Sequence, residues 1–255
     1  MNFIKKFLFK ILGKQRYLLV LHRAFYLLYD MGFLKNKQAF KYHYAVKKII
    51  QKDFIVLDIG ANLGYFAKIF SRLAVNGKVI CLEPIPAFFN TLTYFLGNKK
   101  NTEIHNFALG NENGQITMVL PETNGFIRTG LPHISKSKEV LLSHKTQEVE
   151  IKNASDFISN FPHLDYIKCD IEGYENIVFE GFKSYLMKVR PIIQIEIGEN
   201  NISQMLRLFT ELNYLQYGIA NFSIILEKGD GTQQEPGDYL FVPAEKKEYF
   251  ELLIK

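Results

Sequence analysis

One pattern limits this chain to few folds. Short, almost wholly apolar runs recur along it: "FIVLD" (54–58), "KVICLE" (78–83), "EIHNFAL" (103–109), "LDYIKCD" (164–170) and "PIIQIEI" (191–197). Between and after them lie segments at 62–75, 86–97, 174–188 and 201–212 whose apolar residues return at the helical period. Strands that are apolar on both faces belong to a mostly parallel sheet covered by helices on either side. The expected class is therefore α/β, doubly wound, with two last strands near 214–226 and 238–243. In such a sheet ligands bind outside the carboxyl ends of the strands, where the strand order reverses. The part between 110 and 164 departs from the pattern. There "NENG" (111–114) and "QITMVL" (115–120) predict a turn and hairpin, 121–146 reads as irregular, and "EVEI" (148–151) as a short strand.

Charge separates the N-terminal segment from the body. Residues 1–50 carry 11 Lys/Arg against one acid, Asp30, while the remaining 205 carry 20 Lys/Arg against 25 Asp/Glu. An acidic body argues against a nucleic-acid substrate, because such enzymes spread basic surface around the cleft. Residues 1–36 read as a basic, amphipathic helical extension and 37–255 as the domain proper, entered through a helix from residue 37. Phe3, Ile4, Phe7, Leu8, Ile11 and Leu12 form one apolar stripe, Gly13 ends or kinks that helix, and a second helical stretch covers 17–31. Two readings compete for residues 1–31: a helical hairpin packed on the domain, or a peripheral anchor on anionic membrane. No run reaches the length of a membrane span, and no signal-peptide pattern is present. The two cysteines, Cys81 and Cys169, lie in apolar runs and read as buried core thiols, pointing to a reducing, cytoplasmic setting, with the inner membrane face as the anchored variant.

Four of the five strand-like runs end at a carboxylate: Asp58, Glu83, Asp170 and Glu196, with Ala108 near the end of the third. So much negative charge at one sheet edge calls for a cation or hydrogen-bond donors. The loop "DIGANLG" (58–64) offers Asp58, Gly60, Asn62 and Gly64. A dinucleotide fingerprint would need glycine at 60, 62 and 65, where the chain has Gly60, Asn62 and Tyr65, and no phosphate-loop Gly-Lys-Ser/Thr follows. Gly60 permits a sharp turn, and Asn62 can cap the next helix or hold a ligand by its amide. Glu83, 25 residues beyond Asp58, is placed to accept hydrogen bonds from both hydroxyls of a ribose. A ligand with a ribose, an amino-acid end and a positive charge suits this edge, and S-adenosylmethionine (AdoMet), a sulfonium cation, is such a ligand. No metal-ligand spacing stands out. Asp170, Glu172 and Glu196 as oxygen ligands of a hard cation form a minor alternative.

On the segments "LDIGANLGYF" (57–66), "LEPIP" (82–86), "FALGNENG" (107–114) and "DYIKCDIEGYE" (165–175), the chain resembles the FkbM family of AdoMet-dependent methyltransferases over about residues 50–245. The resemblance implies a seven-stranded, Rossmann-like class I methyltransferase fold. It implies that Asp58, Gly60, Asn62 and Gly64 shape the methionine and ribose pocket, that Glu83 binds the ribose hydroxyls, and that Ala108 lies by the adenine. Asp170 would face the methyl and acceptor side, with Glu172 as second candidate for catalysis; alternatively Glu172 and Glu175 merely favour the first turn of the following helix. The family's small, Ser/Thr-rich stretch is here "NGFIRTGLPHI" (124–134). His133, His144, Tyr65 and Phe126 are further candidates for ligand contact, against the simpler readings of loop histidines and core aromatics.

The implied activity is O-methylation of a hydroxyl on a sugar, glycan or natural-product-like acceptor. The Asn-Pro-Pro-aromatic tetrad expected for methylation of a planar amine is absent, and "DIEG" (170–173) stands in its place. The alternative is a non-catalytic protein of the same fold that docks on a membrane or enzyme assembly.

Overall fold

The computed structural model describes residues 2–123, 126–127, 132–134, 144–220, 222–227 and 235–255, with backbone alone at 2–6, 122–123 and 126–127. The chain runs α1 (Asn2–Asp30), α2 (Lys41–Ile49), β1 (Ile55–Ile59), α3 (Tyr65–Leu73), β2 (Lys78–Leu82), α4 (Pro86–Leu96) and β3 (Thr102–His105). Then come β4 (Ala108–Gly110), β5 (Gly114–Leu120), β6 (Glu122–Thr123), β7 (Phe126–Ile127), β8 (His133–Ile134), β9 (Lys145–Asn153) and α5 (Ala154–Ser159). The last third holds β10 (Tyr166–Cys169), α6 (Glu175–Val189), β11 (Ile192–Ile197), α7 (Ile202–Glu211), β12 (Tyr214–Ala220), β13 (Ser223–Leu226), β14 (Gly237–Pro243) and α8 (Lys247–Ile254).

The main sheet has the order β13-β12-β14-β11-β10-β1-β2-β3. Its β3, β2, β1, β10 and β11 are parallel, and β14 enters antiparallel between β11 and β12. The expected seven strands are all present, and an eighth, β13, extends the edge. The run 214–226, read as one strand, is a hairpin of β12 and β13, with Phe222 at φ 61 in its turn. Strand order reverses at β1, with β2 on one side and β10 on the other, so the loops after β1 and β10 border the switch point.

Alternation along the strands makes two cores. Leu57, Ile59, Ile167 and Ile193 face α5, α6 and α7, whose Ile158, Phe179, Phe182 and Phe209 are buried there. Val56, Val79, Tyr166 and Val242 face α2, α3, the second half of α1 and α8. The N-terminal helix kinks at Gly13 (φ 70), as the sequence allowed. Beyond the kink its Leu18, Phe25, Tyr26 and Tyr29 are buried against the domain. This is the packed one of the two readings for the inner face of residues 17–30.

The segment "EIHNFAL" is not one strand, and the expected hairpin with 115–120 does not form. The Asn106 side chain donates to the carbonyls of Glu83 (2.8 Å) and Pro84 (2.9 Å). That turns the chain out of the main sheet after His105, and Ala108–Gly110 joins a second sheet of order β4-β9-β5-β8. There β9 separates β4 from β5, because Asn153 at its end bonds Asn113 and Asn111 of the "NENG" turn. "EVEI" is the centre of this nine-residue β9.

The α7 residue Phe209 is fully buried and stacks on Phe241 with ring centroids 4.0 Å apart. Phe209→Ala is expected to lower unfolding free energy by about 3–5 kcal/mol. Guanidinium titration measures it, and a loss below about 1 kcal/mol would contradict this packing.

Candidate functional site

The loop after β1 is built on close approach. The Gly60 and Ala61 amides both donate to the Leu82 carbonyl at the end of β2, at 3.0 and 2.9 Å. Gly60 has φ 75, and a Cβ there would fall 2.0 Å from the Asp170 main-chain oxygen. The loop after β1 therefore lies directly against the loop after β10, and only glycine fits between. Asn62 (φ 54) and Glu172 (φ 48) hold left-handed backbone on either side of this contact. Such conformations cost non-glycine residues about 1–3 kcal/mol and gather at functional sites. Asn62 does not cap α3, as its sequence position allowed: its Oδ1 accepts from the Leu63 amide at 2.7 Å, and the cap residue is Gly64 (φ 86).

These loops border an open cavity with about 610 Å³ of empty space, its solvent-filled mouth included. Gly60, Asn62, Glu83, Ala108, Asp170 and Glu172 all line it. Its apolar walls include Phe107, Leu109, Met118 and Ile134, contributed in part by the second sheet. Pro132 and Ile134 line it, whereas His133 between them does not. His144 is exposed and lies away from the lining, and Tyr65 packs on Phe25, ring centroids 4.5 Å apart. The Phe126 side chain and most of 124–134 lie outside the described residues.

Glu83 is fixed by two backbone donors. Its Oε2 accepts from the Asn62 amide and its Oε1 from the Ile85 amide, both at 2.8 Å. Burial pushes its carboxyl up to about 7, and the two amides oppose that shift. Each oxygen keeps a lone pair, so the group can accept two further hydrogen bonds from a vicinal diol. An apolar slot beside it can take a flat heterocycle. The donor set thus fits a nucleoside.

Asp58 and Gly64 do not line the cavity. Gly64 instead packs against α4, where a Cβ would meet the Leu92 side chain at 2.7 Å. Asp58 is fully buried, and neither of its oxygens has a hydrogen-bond partner among the described residues. Its counter-charge is a residue the sequence reading passed over. Lys168 pairs in register with Asp58 across β1 and β10, so both side chains point to the same face. The Lys168 Nζ lies 3.7 Å from Asp58 and 3.4 Å from Asp170, and the lysine is only 3 % exposed. Burial works against the ammonium, but Asp170 and Asp58 outweigh it and raise its pKa. Burial lifts the Asp58 carboxyl to about 6, with Lys168 pulling it down, so the pair is ionised at neutral pH. The ammonium beside Asp58 therefore belongs to the protein. The signal was a lysine in the four-residue buried strand "YIKC" (166–169).

Beyond Glu172 lies a second, acidic hollow bordered by Glu172, Glu175 and Glu196. Burial raises Glu172 to about 7, helped by Asp170 and Glu175, and raises Glu196 to about 8, helped by Asp170, Asp238 and Glu172. Glu175 has a structural part: it accepts from the Gly173 amide and from Asn201, both at 2.8 Å, tying this loop to the start of α7. Among the described residues no group of three His, Cys, Asp or Glu is placed to hold a metal ion.

The family described as "Methyltransferase FkbM domain" matches residues 58–216. The 2-O-methyltransferase NoeI of Sinorhizobium fredii is 27% identical over 173 residues, which is 63% of this chain and 71% of NoeI. Methyltransferase 1 of Beauveria bassiana is 27% identical over 145 residues, or 51% of this chain, and the match spans 58% of that protein. A solved structure titled Methyltransferase FkbM, from Methylobacillus flagellatus, aligns with TM-score 0.48 and 13% identity, over 75% of this chain and 44% of its own.

Removing one partner of a buried ion pair strands the other, at a cost of about 3–5 kcal/mol. Lys168→Met should show this with a specific pH signature. Without the lysine, the folded-state pKa of Asp58 rises further above its unfolded value. The folded variant then binds the extra proton, so its stability is retained at acid pH and lost as pH rises. The deficit relative to wild type should be small near pH 5 and large at pH 8 by chemical denaturation. An equal deficit at both values would contradict the pairing.

Proposed function

The chain belongs to the FkbM methyltransferase family, and from that premise we propose that it methylates a hydroxyl of a sugar, glycan or natural-product-like acceptor with AdoMet as donor. The observation that carries the reading is one cavity lined both by a diol acceptor, Glu83, and by two carboxylates free of that task, Asp170 and Glu172. The resemblance to a 2-O-methyltransferase, NoeI, supports a hydroxyl as the accepting group. The acidic body supports a neutral or cationic acceptor over a nucleic acid. The family match favours the enzyme over a non-catalytic docking protein.

Bound AdoMet supplies an electrophilic methyl group on a sulfonium. Glu83 holds the ribose diol, and Ala108 lies against the base in the apolar slot beside Phe107 and Leu109. Gly60 lets the loops after β1 and β10 close on each other at the edge of the cavity, which brings Asp170 and Glu172 to the donor. The acceptor hydroxyl enters from the side of Asp170 and Glu172. One of these carboxylates orients it and takes its proton while the carbon–oxygen bond forms and the carbon–sulfur bond breaks. A carboxylate raised to about 7, as Glu172 is, is a stronger base than an ordinary one and is still half ionised at neutral pH. Lys168 holds the Asp170 carboxylate at 3.4 Å and so positions it. The setting proposed is the cytoplasm, in keeping with the buried free thiols Cys81 and Cys169. There the basic N-terminal segment favours work at an anionic membrane surface.

The proposal is tested by incubating the protein with methyl-labelled AdoMet and a panel of glycans and sugar conjugates. Label should move to an acceptor oxygen, and AdoMet in excess should raise the melting temperature. No shift and no transfer would reject it. Glu83→Ala should weaken AdoMet binding at least about tenfold by calorimetry, the loss of two hydrogen bonds, in a folded protein. Unchanged affinity removes Glu83 from the ribose. Because the base acts when ionised, turnover should rise with pH through about 7, and Glu172→Gln should flatten that limb. Asp170→Asn should cut turnover about a hundredfold or more while leaving AdoMet affinity within a few-fold.

A further inference from the structure

The second half of α1 has two faces of different fate. Its inner face, with Leu18, His22, Phe25, Tyr26 and Tyr29, is buried on the domain. His22 Nδ1 donates to the Leu63 carbonyl at 2.8 Å and Tyr26 to the Tyr65 carbonyl at 2.6 Å, so this helix braces the loop that shapes the donor cavity.

Its outer face is apolar and uncovered. Val20, Ala24, Leu27, Leu28 and Met31 are exposed and recur at i, i+4, i+7, i+8 and i+11, one helical stripe. Phe33 continues it just past the helix end. Leu27 is 62%, Met31 59% and Phe33 62% exposed. Of the 15 large apolar side chains exposed among the described residues, seven lie between residues 7 and 33, a concentration that scattered surface apolarity does not explain.

The charges around the stripe have one sign. Arg16 and Arg23 stand one turn before Val20 and Leu27, and Lys35 and Lys37 follow Phe33; all four are exposed. Arg23 donates to the hydroxyl of exposed Tyr94 at 3.2 Å, adding an amphipathic ring to this side. The one acid between residues 7 and 37, Asp30, is held by Arg72 at 2.7 Å and adds no free negative charge. An apolar stripe rimmed by basic groups complements a surface that is apolar inside and anionic at its face. Two copies of this helix face to face would bring like charges together, which disfavours self-pairing.

We propose that the outer face of α1, from Val20 to Phe33, lies in the headgroup region of an anionic lipid bilayer. This deepens the reading of the enzyme as working at an anionic membrane surface. It narrows the contact from residues 1–31, the whole segment the sequence pattern offered, to the exposed side of the helix that braces the donor loop.

The test is sedimentation of the full chain with vesicles of phosphatidylcholine, alone or mixed with phosphatidylglycerol, at about 0.1 M salt. Wild type should pellet with the mixed vesicles and stay in solution with phosphatidylcholine alone. The combined variant Leu27→Ser, Leu28→Ser, Met31→Ser and Phe33→Ser should lose at least about tenfold in partitioning. Wild type that ignores the mixed vesicles, a variant that pellets like wild type, or equal binding to both lipids would each overturn the proposal. So would a wild-type oligomer in light scattering that the variant dissolves, since the face would then belong to a second copy. AdoMet affinity measured on the same samples should be equal in wild type and variant, which shows the variant is folded. It also keeps failure of docking separate from failure of the methyl-transfer reading.

Discussion

A lysine buried between two carboxylates sets the terms for the rest of this site. Lys168 lies on β10 directly beside Asp58 of β1 and reaches Asp170 at the strand end. A charged group buried in a sheet is expensive unless a counter-charge is held beside it. Here one cation serves both acids, one fully buried and one about a third exposed. The arrangement fixes the switch-point strands in charge as well as in hydrogen bonds. It also delivers Asp170 to the cavity with its position already determined.

Around that centre, backbone geometry does the shaping. Gly60 lets two loops touch where a Cβ would collide with the Asp170 carbonyl. The Asn62 amide, presented by left-handed backbone, and the Ile85 amide hold the Glu83 carboxylate. From outside, α1 closes the arrangement through His22 and Tyr26 on the carbonyls of Leu63 and Tyr65. His22 is buried deeply enough that its pKa falls to about 4, so it serves as a neutral brace at physiological pH. A segment that looked separable by charge is thus tied to the loop that borders the cavity.

The main sheet was legible because its strands are buried on both faces, and continuous apolar runs record that directly. That Glu83, Asp170 and Glu172 line one cavity was legible because the strand ends of such a sheet converge on a crevice at the switch point. Lys168 was not, since its partner is set by strand register, and register between β1 and β10 leaves no trace in a single sequence. For the same reason Asp58 was read as facing ligand. The second sheet was misread because "NENG" signals a local hairpin, while Asn111 and Asn113 are instead claimed by Asn153, 40 residues on. Helix α5 was missed: Asn153 caps it by accepting from the Asp156 amide at 3.1 Å, but six residues give too little period to detect.

The most direct test of the central claim is a crystal structure with S-adenosylhomocysteine, the demethylated donor. The expected result is a ribose diol on Glu83, a base in the apolar slot by Ala108, and a sulfur facing Asp170 and Glu172, with Lys168 still between Asp58 and Asp170. A ligand whose ribose avoids Glu83, or whose amino group displaces Lys168 from Asp58, would contradict it.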